Sequence, residues 1–279
     1  MLVRGETLLK NADKIKLVAI DLDGTLLDND KKISGRAKEA IRSVRKEGIG
    51  VTLATGRMFY STRPYADELG LSLPLITYQG ALVKVSGTGE VLYERHVDAG
   101  LSQVIVEMAK EEGLTLNFYI DDYVLVEKIT PEAESYARTF NARLREVGDL
   151  RRYDHLSPLK LLVIDYDEEH LDALAEKCRK VFGDVLHITK SMPEYLEFLH
   201  PQATKAFGVD AVARHMGLSP QEVMAVGDSY NDVEMFDYAG VSVVMGNARD
   251  EIKEKADYVT RSNDDDGVAE VLEKLVKVR

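Results

Sequence analysis

The stretch KLVAIDLDGTLLD, Lys16–Asp28, decides how the chain is read. Its opening run KLVAI is short and apolar, as in a strand buried on both faces. Asp21 and Asp23 follow at once, two residues apart, so both can project to the same side of the strand end. In open α/β sheets ligands bind beyond the carboxyl ends of the strands. Gly24-Thr25 lets the backbone turn and aim amide N–H groups at an anion. A calcium loop does not fit, because Thr25, Leu26 and Lys32 fall at its fifth, sixth and twelfth positions. Asp and Gly after a strand are also ordinary turn formers, so this stretch alone leaves both readings open.

Outward from it, strand and helix alternate. Ser34 begins a helix with apolar Ala37, Ala40, Ile41 and Val44, stopped by Gly48. Ile49–Thr55 is a second strand, Phe59–Leu69 a helix and Pro74–Thr77 a third strand, the rhythm of a parallel sheet. Leu82–Arg95 reads instead as a hairpin. Helices at 101–112, 131–144 and 168–181 then mix with short strands at 115–119, 123–127 and 159–165 and two more before Ala203. From Ala203 the α/β rhythm returns, with strands VMAVG (Val223–Gly227) and VSVVM (Val241–Met245). The expected fold is therefore a Rossmann-like α/β core, residues 1–84 and 193–279, carrying an inserted α+β cap, residues 85–192.

Composition narrows the function. The chain has 279 residues, 45% apolar and 30% charged, and a single cysteine, the profile of a globular protein without internal disulfides in a reducing compartment. A cytoplasmic location is expected, since the first sixteen residues lack the apolar core of a signal peptide. Residues 1–14 receive no function. The net charge of −12 argues against nucleic acid and anionic membranes as partners. An anionic ligand would need local cations and amides to capture it.

Three further strand ends carry matching chemistry. ATGR places Thr55 and Gly56 where a hydroxyl and an amide can meet a phosphate oxygen. Lys205 opens the helix after the insert. VMAVG runs into DSYND, with Asp228 at the strand end and Asn231 and Asp232 in the turn. Each has a bland counterpart (a cap, a solvated lysine, an acidic loop), and together they resemble the haloacid dehalogenase superfamily. DLDGT (Asp21–Thr25), Thr55, Lys205 and GDSYND (Gly227–Asp232) match its four motifs in order. ITYQGALV, VMGNA and ADYVTRSNDDDGVAEVL are similar to segments of its Cof-type (subfamily IIB) branch, whose C2-type cap is inserted between the second and third motifs. Gln79 stands where that branch usually has Asn.

The resemblance implies a Mg2+-dependent phosphatase of small phosphorylated metabolites, with sugar phosphates, flavin mononucleotide or pyridoxal phosphate as classes. Asp21 is the expected nucleophile and Asp23 the general acid/base, which must be protonated to serve the leaving alcohol; a nearby ionised Asp21 is expected to raise its pKa. Thr55 and Lys205 complete the catalytic set. Leu22, Asp23, Gly24, Thr55, Gly56, Lys205 and Asn231 are the expected phosphate-binding residues. Asp21, the Asp23 backbone carbonyl and Asp228 are the implied Mg2+ ligands, with Asp232 behind them. A phosphomutase and a phospholigand-binding regulator are the alternatives; retention of both Asp21 and Asp23 favours turnover over binding alone. The small-molecule phosphomonoester is the expected partner, and the protein is expected to be a monomer or weak homodimer.

The insert is long enough to cover the strand ends, exclude water and sort substrates, and its two connections permit hinge motion. Asn117, Tyr119, Tyr123, Lys190, Glu194 and Glu197 are its polar candidates. Cys178 is expected in the core, His200 in a structural role, and Asn263–Gly267 as the cap of the last helix.

Overall fold

The computed structural model describes residues 12–278. Of the lead-in 1–14, residues 1–11 lie outside the described residues, and Ala12–Lys14 is a 3-10 turn. The chain then runs β1 (Leu17–Ile20), α1 (Gly35–Lys46), β2 (Gly50–Leu53), α2 (Phe59–Leu69), β3 (Pro74–Thr77), β4 (Leu82–Val85) and β5 (Val91–Glu94). Next come α3 (Ala99–Glu111), β6 (Thr115–Ile120), β7 (Tyr123–Val126), α4 (Pro131–Phe140), β8 (Leu144–Glu146), β9 (Lys160–Ile164), α5 (Glu168–Phe182), β10 (His187–Met192) and β11 (Tyr195–Leu199). The last segment is α6 (Lys205–His215), β12 (Val223–Gly227), α7 (Val233–Tyr238), β13 (Val241–Val244), α8 (Asp250–Lys253), β14 (Tyr258–Val259) and α9 (Gly267–Lys277).

Five parallel strands form the core sheet in the order β14-β13-β12-β1-β2. β1 has a strand on each side and is wholly buried, which accounts for its uninterrupted apolar run. Its helix partner α1 starts where the sequence places it: the Ser34 hydroxyl accepts from Ala37 N, and Ala37, Ala40, Ile41 and Val44 make the buried stripe. β3 departs from the expected parallel sheet. Its backbone pairing toward β2 is reduced to the single parallel bridge Ala54–Ile76, backed by Thr52 Oγ1 donating to Pro74 O (2.5 Å), and it pairs antiparallel with β4, in a separate sheet β3-β4-β5. The tight turn Tyr78–Gly80 reverses the chain immediately and brings β4 alongside.

The insert is a six-stranded sheet, β10-β11-β9-β6-β7-β8, antiparallel except for β7–β8. β8 is absent from the sequence reading, which carries α4 on to Leu144. Asn141, left-handed at φ +51°, ends α4 at Phe140 instead and releases Leu144–Glu146 to pair with β7. The expected breaks at 84/85 and 192/193 both run through hydrogen-bonded hairpins: β5 pairs with β4 beside β3, and β11 sits between β10 and β9.

One face of the six-stranded sheet, with Phe118, Leu161 and Phe198, packs with Ile105 of α3 and Cys178 of α5. Cys178 is thus in a core, as expected. The other face, with Tyr119, Leu162 and Tyr195, belongs to the same buried apolar body as Leu53, Met58 and Leu75 of the α/β unit. Among the described residues no helix is long and apolar enough to cross a membrane. His200 Nδ1 accepts from Gln202 N (3.0 Å), a turn contact. The acidic run before α9 supplies the cap residue but not by its charge: Asp266 occupies the cap position in a left-handed conformation, its backbone carbonyl accepts from Glu270 N (2.9 Å), and its carboxylate accepts from Ser34 Oγ instead of from the helix amides.

Candidate active site

Asp21 N donates to Val226 O (2.9 Å), which continues the pairing of β1 with β12 and brings Asp21 and Asp228 to one rim. Lys205, the first residue of α6, reaches the same point from below. Its Nζ donates to Asp21 Oδ1 and to Asp232 Oδ1, each at 2.6 Å. Lys205 and Asp232 are 1% and 0% exposed, so neither contact is screened by solvent. The second oxygen of Asp232 accepts from Asp228 N (2.9 Å) and Ser229 N (3.0 Å). Asp232 therefore fixes both the cation and the loop that carries Asp228. Thr25 Oγ1 donates to Asp228 Oδ1 (2.8 Å).

Burial pushes Asp21 up to about 7; Lys205 pulls it back, while Asp232 and Asp23 push with the burial. Burial, then the charges of Asp21 and Asp232, hold Asp228 well above the usual carboxylate range. Burial opposes the charge on Lys205, but Asp21 and Asp232 outweigh it and keep the ammonium protonated. One carboxylate oxygen each from Asp21, Asp228 and Asp232 lie within 4.8 Å of one another. An all-oxygen set, short of positive charge, suits a hard divalent cation. Gly24 (φ +79°) closes the cradle: a Cβ there would lie 2.5 Å from Asp228 Oδ2. Gly24→Ala is therefore expected to displace Asp228 and weaken the affinity of this cluster for a divalent cation by about tenfold or more, as read by titration calorimetry.

Asp23 is held differently from expectation. Arg57 grips it with two bonds, Nε to Oδ2 at 2.6 Å and Nη2 to Oδ1 at 2.7 Å, and Lys31 Nζ adds a third at 3.0 Å. Burial pushes Asp23 up, but Arg57 and then Lys31 outweigh it, so its pKa lies below the ordinary value rather than above. The sequence reading weighed Asp21 against Asp23 and placed neither cation there. Arg57 itself packs between the rings of Tyr65 and Phe140, 5.3 Å from each centroid.

A cavity of about 260 Å³ opens over this rim. Asp21, Asp23, Gly24, Thr55, Gly56, Asp228 and Asn231 line it, as do Arg57 and Lys31. Leu22, Lys205 and Asp232 are buried outside its lining. Thr55 Oγ1 accepts from Arg57 N (3.1 Å), which leaves the hydroxyl hydrogen to donate into the cavity. Asn231 Nδ2 donates to Gln79 Oε1 (2.9 Å).

The roof comes from the insert: Tyr136, Phe140, Lys160, Ser191, Tyr195 and Glu197. Of the six polar candidates there, only Glu197 lines the cavity. Asn117 and Tyr119 are buried outside its lining. Tyr123 lies under Arg145 (4.1 Å to the ring centroid), Lys190 pairs with Asp172, and Glu194 O accepts from Asp165 N. Lys160 was legible but missed: a charge interrupting the buried strand LKLLVID needs a counter-charge, and Glu197, interrupting YLEFL on the neighbouring strand, supplies it at 3.0 Å. Arg57 stands in the quoted ATGR, but no periodicity marks where its guanidinium goes.

An open parallel sheet whose strand ends gather carboxylates around one buried lysine, beneath a unit of separate topology, is suited to hold a divalent cation and an anionic group together. The family model for haloacid dehalogenase-like hydrolases matches residues 18–272. The chain is 33% identical to the 5-amino-6-(5-phospho-D-ribitylamino)uracil phosphatase YcsE of Bacillus subtilis, over 94% of this chain and 96% of that one. It superimposes on a haloacid dehalogenase-like hydrolase from Bacteroides thetaiotaomicron with a TM-score of 0.83 at 31% identity, covering 93% and 99% of the two chains. The match to TM0651 from Thermotoga maritima has a TM-score of 0.80 at 34% identity, covering 93% and 97%. The chain belongs to the haloacid dehalogenase-like hydrolases, in their Cof-type branch, and is a phosphatase.

Proposed function

We propose that the protein hydrolyses small phosphorylated metabolites (sugar phosphates, flavin mononucleotide or pyridoxal phosphate among them) through an aspartyl-phosphate on Asp21, with Mg2+ as cofactor and residues 97–199 as the substrate-selecting cap. The observation that carries this reading is the double contact of Lys205 Nζ, 2.6 Å from both Asp21 and Asp232, inside the carboxylate cluster. A buried lysine so placed fixes the Asp21 carboxylate and offsets charge that accumulates there.

Asp21 attacks phosphorus; the P–O ester bond breaks, and the leaving alkoxide takes a proton from Asp23. Water then attacks the phosphorus of the aspartyl-phosphate, passes a proton to Asp23, and the Asp21–phosphorus bond opens to release phosphate. In the resting site the Arg57–Lys31 clamp keeps Asp23 ionised. A phosphate dianion arriving beside it draws on the same two cations and raises the Asp23 pKa toward the protonated form that the first step requires. Thr55 and the amides following Asp21 hold the phosphate oxygens.

Asp21, the Asp23 backbone carbonyl and Asp228 would hold Mg2+, which supplies charge compensation for the dianion when bound. At an effective dielectric of ~20, one unit of uncompensated repulsion at ~4 Å costs on the order of 4 kcal/mol. A screen of phosphorylated metabolites, including the aminopyrimidine ribityl phosphate for which YcsE is named, tests the reading. Phosphate release is expected with Mg2+, with EDTA removing it and Mg2+ restoring it. Release that survives exhaustive chelation would refute metal dependence, and phosphate moved to a new position without free phosphate would identify a mutase.

A further inference from the structure

Gln79 is where the insert, the α/β unit and the loop bearing Asn231 meet. Tyr78, Gln79 and Gly80 have φ of +51°, +59° and +98°, a left-handed turn that bulky residues rarely adopt. Tyr78 N holds it on Arg57 O (2.9 Å) and Gln79 N on Thr55 O (3.0 Å). Gly80 presses against the start of α6, where a Cβ would lie 2.0 Å from Thr204 O. The turn is thereby fixed both to the ATGR loop and to the residue preceding Lys205.

The Gln79 side chain is 1% exposed and both ends of its amide are engaged. Glu197 is a carboxylate and only accepts, so the NH2 end must face it, with Nε2 to Oε2 at 2.7 Å. The carbonyl end then faces Asn231, which must present its own NH2, with Nδ2 to Oε1 at 2.9 Å. One negative charge on the insert thus dictates two amide orientations in series. Glu197 is itself anchored by Lys160 (3.0 Å) and Ser191 (2.9 Å), and Lys160 reaches Gly56 O (2.9 Å). Gly56 leaves room for this path, since a Cβ there would stand 2.5 Å from Gln79 Nε2. What remains to Asn231 is its second N–H and an Oδ1 that is buried without a partner.

We propose that Gln79 is a positioning residue for phosphate binding, which transmits the polarity of Glu197 to Asn231 so that Asn231 offers an N–H to phosphate while the insert is seated. This rests on the assignment of Asn231 to phosphate binding. Gln79 acts through Asn231, and the uniform loss of one oriented donor appears in substrate affinity more than in turnover.

The test uses the full-length enzyme with Mg2+, p-nitrophenyl phosphate as substrate and inorganic phosphate as competitive inhibitor. Gln79→Met is expected to raise KM and the phosphate Ki about tenfold, with kcat changed by less than about twofold. Asn231→Ala should give a loss of similar size, and the double variant should be no worse than the more severe single one. Unchanged Ki in Gln79→Met, or fully additive losses, would overturn the proposal while Asn231 kept its role. Unchanged Ki in Asn231→Ala would remove the reading beneath it. If thermal melting shows Gln79→Met misfolded, Glu197→Gln decides: its amide no longer forces the series, so Ki should rise about threefold, and no rise refutes the proposal.

Discussion

Asp21→Asn is expected to abolish turnover, lowering phosphate release by at least about 10⁴-fold while leaving a folded protein. The carboxamide has the shape of the carboxylate but cannot attack phosphorus. Lys205 keeps its bond to Asp232 in this variant, and Asp228 keeps Thr25. The substitution also removes a carboxylate whose charge raises the Asp228 pKa, so relief of repulsion partly offsets the lost ion pair. Melting curves should therefore stay close to wild type while activity disappears. Residual release above about one per cent, in protein free of wild-type contamination, would show that a group other than Asp21 attacks phosphorus first.

Lys205→Met should strike both stability and activity. Methionine keeps the length and apolar stem but leaves Asp21 and Asp232 buried without their cation. Removing one partner from a buried pair costs about 3–5 kcal/mol, and the side chain is 1% exposed, so no discount for solvent applies. In the wild type, the folded-state pKa of Lys205 lies above its ordinary 10.5. Its stabilisation is complete below that value and is lost as pH rises through the raised one. The variant behaves oppositely across the acid range: its deficit shrinks as pH falls and Asp21, already pushed up by burial, takes up a proton. Urea unfolding at pH 5 and pH 7.5 measures this, with the larger gap from wild type expected at pH 7.5. Equal gaps would mean that Lys205 serves packing alone.

What the sequence disclosed follows from where side chains sit on regular elements. Asp21, Thr55 and Asp228 come directly after buried apolar runs, so strand periodicity fixed their places, and the structure gathers them around one cavity. Lys205 announced itself only through company with the other three. Arg57 and Lys31 lie in irregular segments, where no period says which carboxylate a long side chain will seek; the sign of the Asp23 shift was lost with them. The parallel core was read correctly, but the place of its third strand was lost for a related reason. Pro74–Thr77 is as apolar as a parallel strand, yet the left-handed turn after it hands its hydrogen bonds to β4. Asn141, an ordinary polar residue in a helical pattern, ends α4 by adopting a backbone conformation that composition does not reveal.

If the insert is the substrate-selecting cap proposed above, the apolar body it shares with the α/β unit bears on which guests the enzyme admits. Tyr119, Tyr136, Phe140 and Tyr195 form a herringbone of rings, with centroids 4.7–6.3 Å apart, rooted in the same interior as Leu53 and Met58. Prising the two halves apart wets that aromatic surface, at roughly 25 cal/mol for every Å² exposed. A guest small enough to let the rings reseat recovers this, whereas a bulky one that props them open does not. With the insert as the proposed substrate-selecting cap, selection by size would then arise from the cohesion of the seam itself, before any hydroxyl on the guest is recognised.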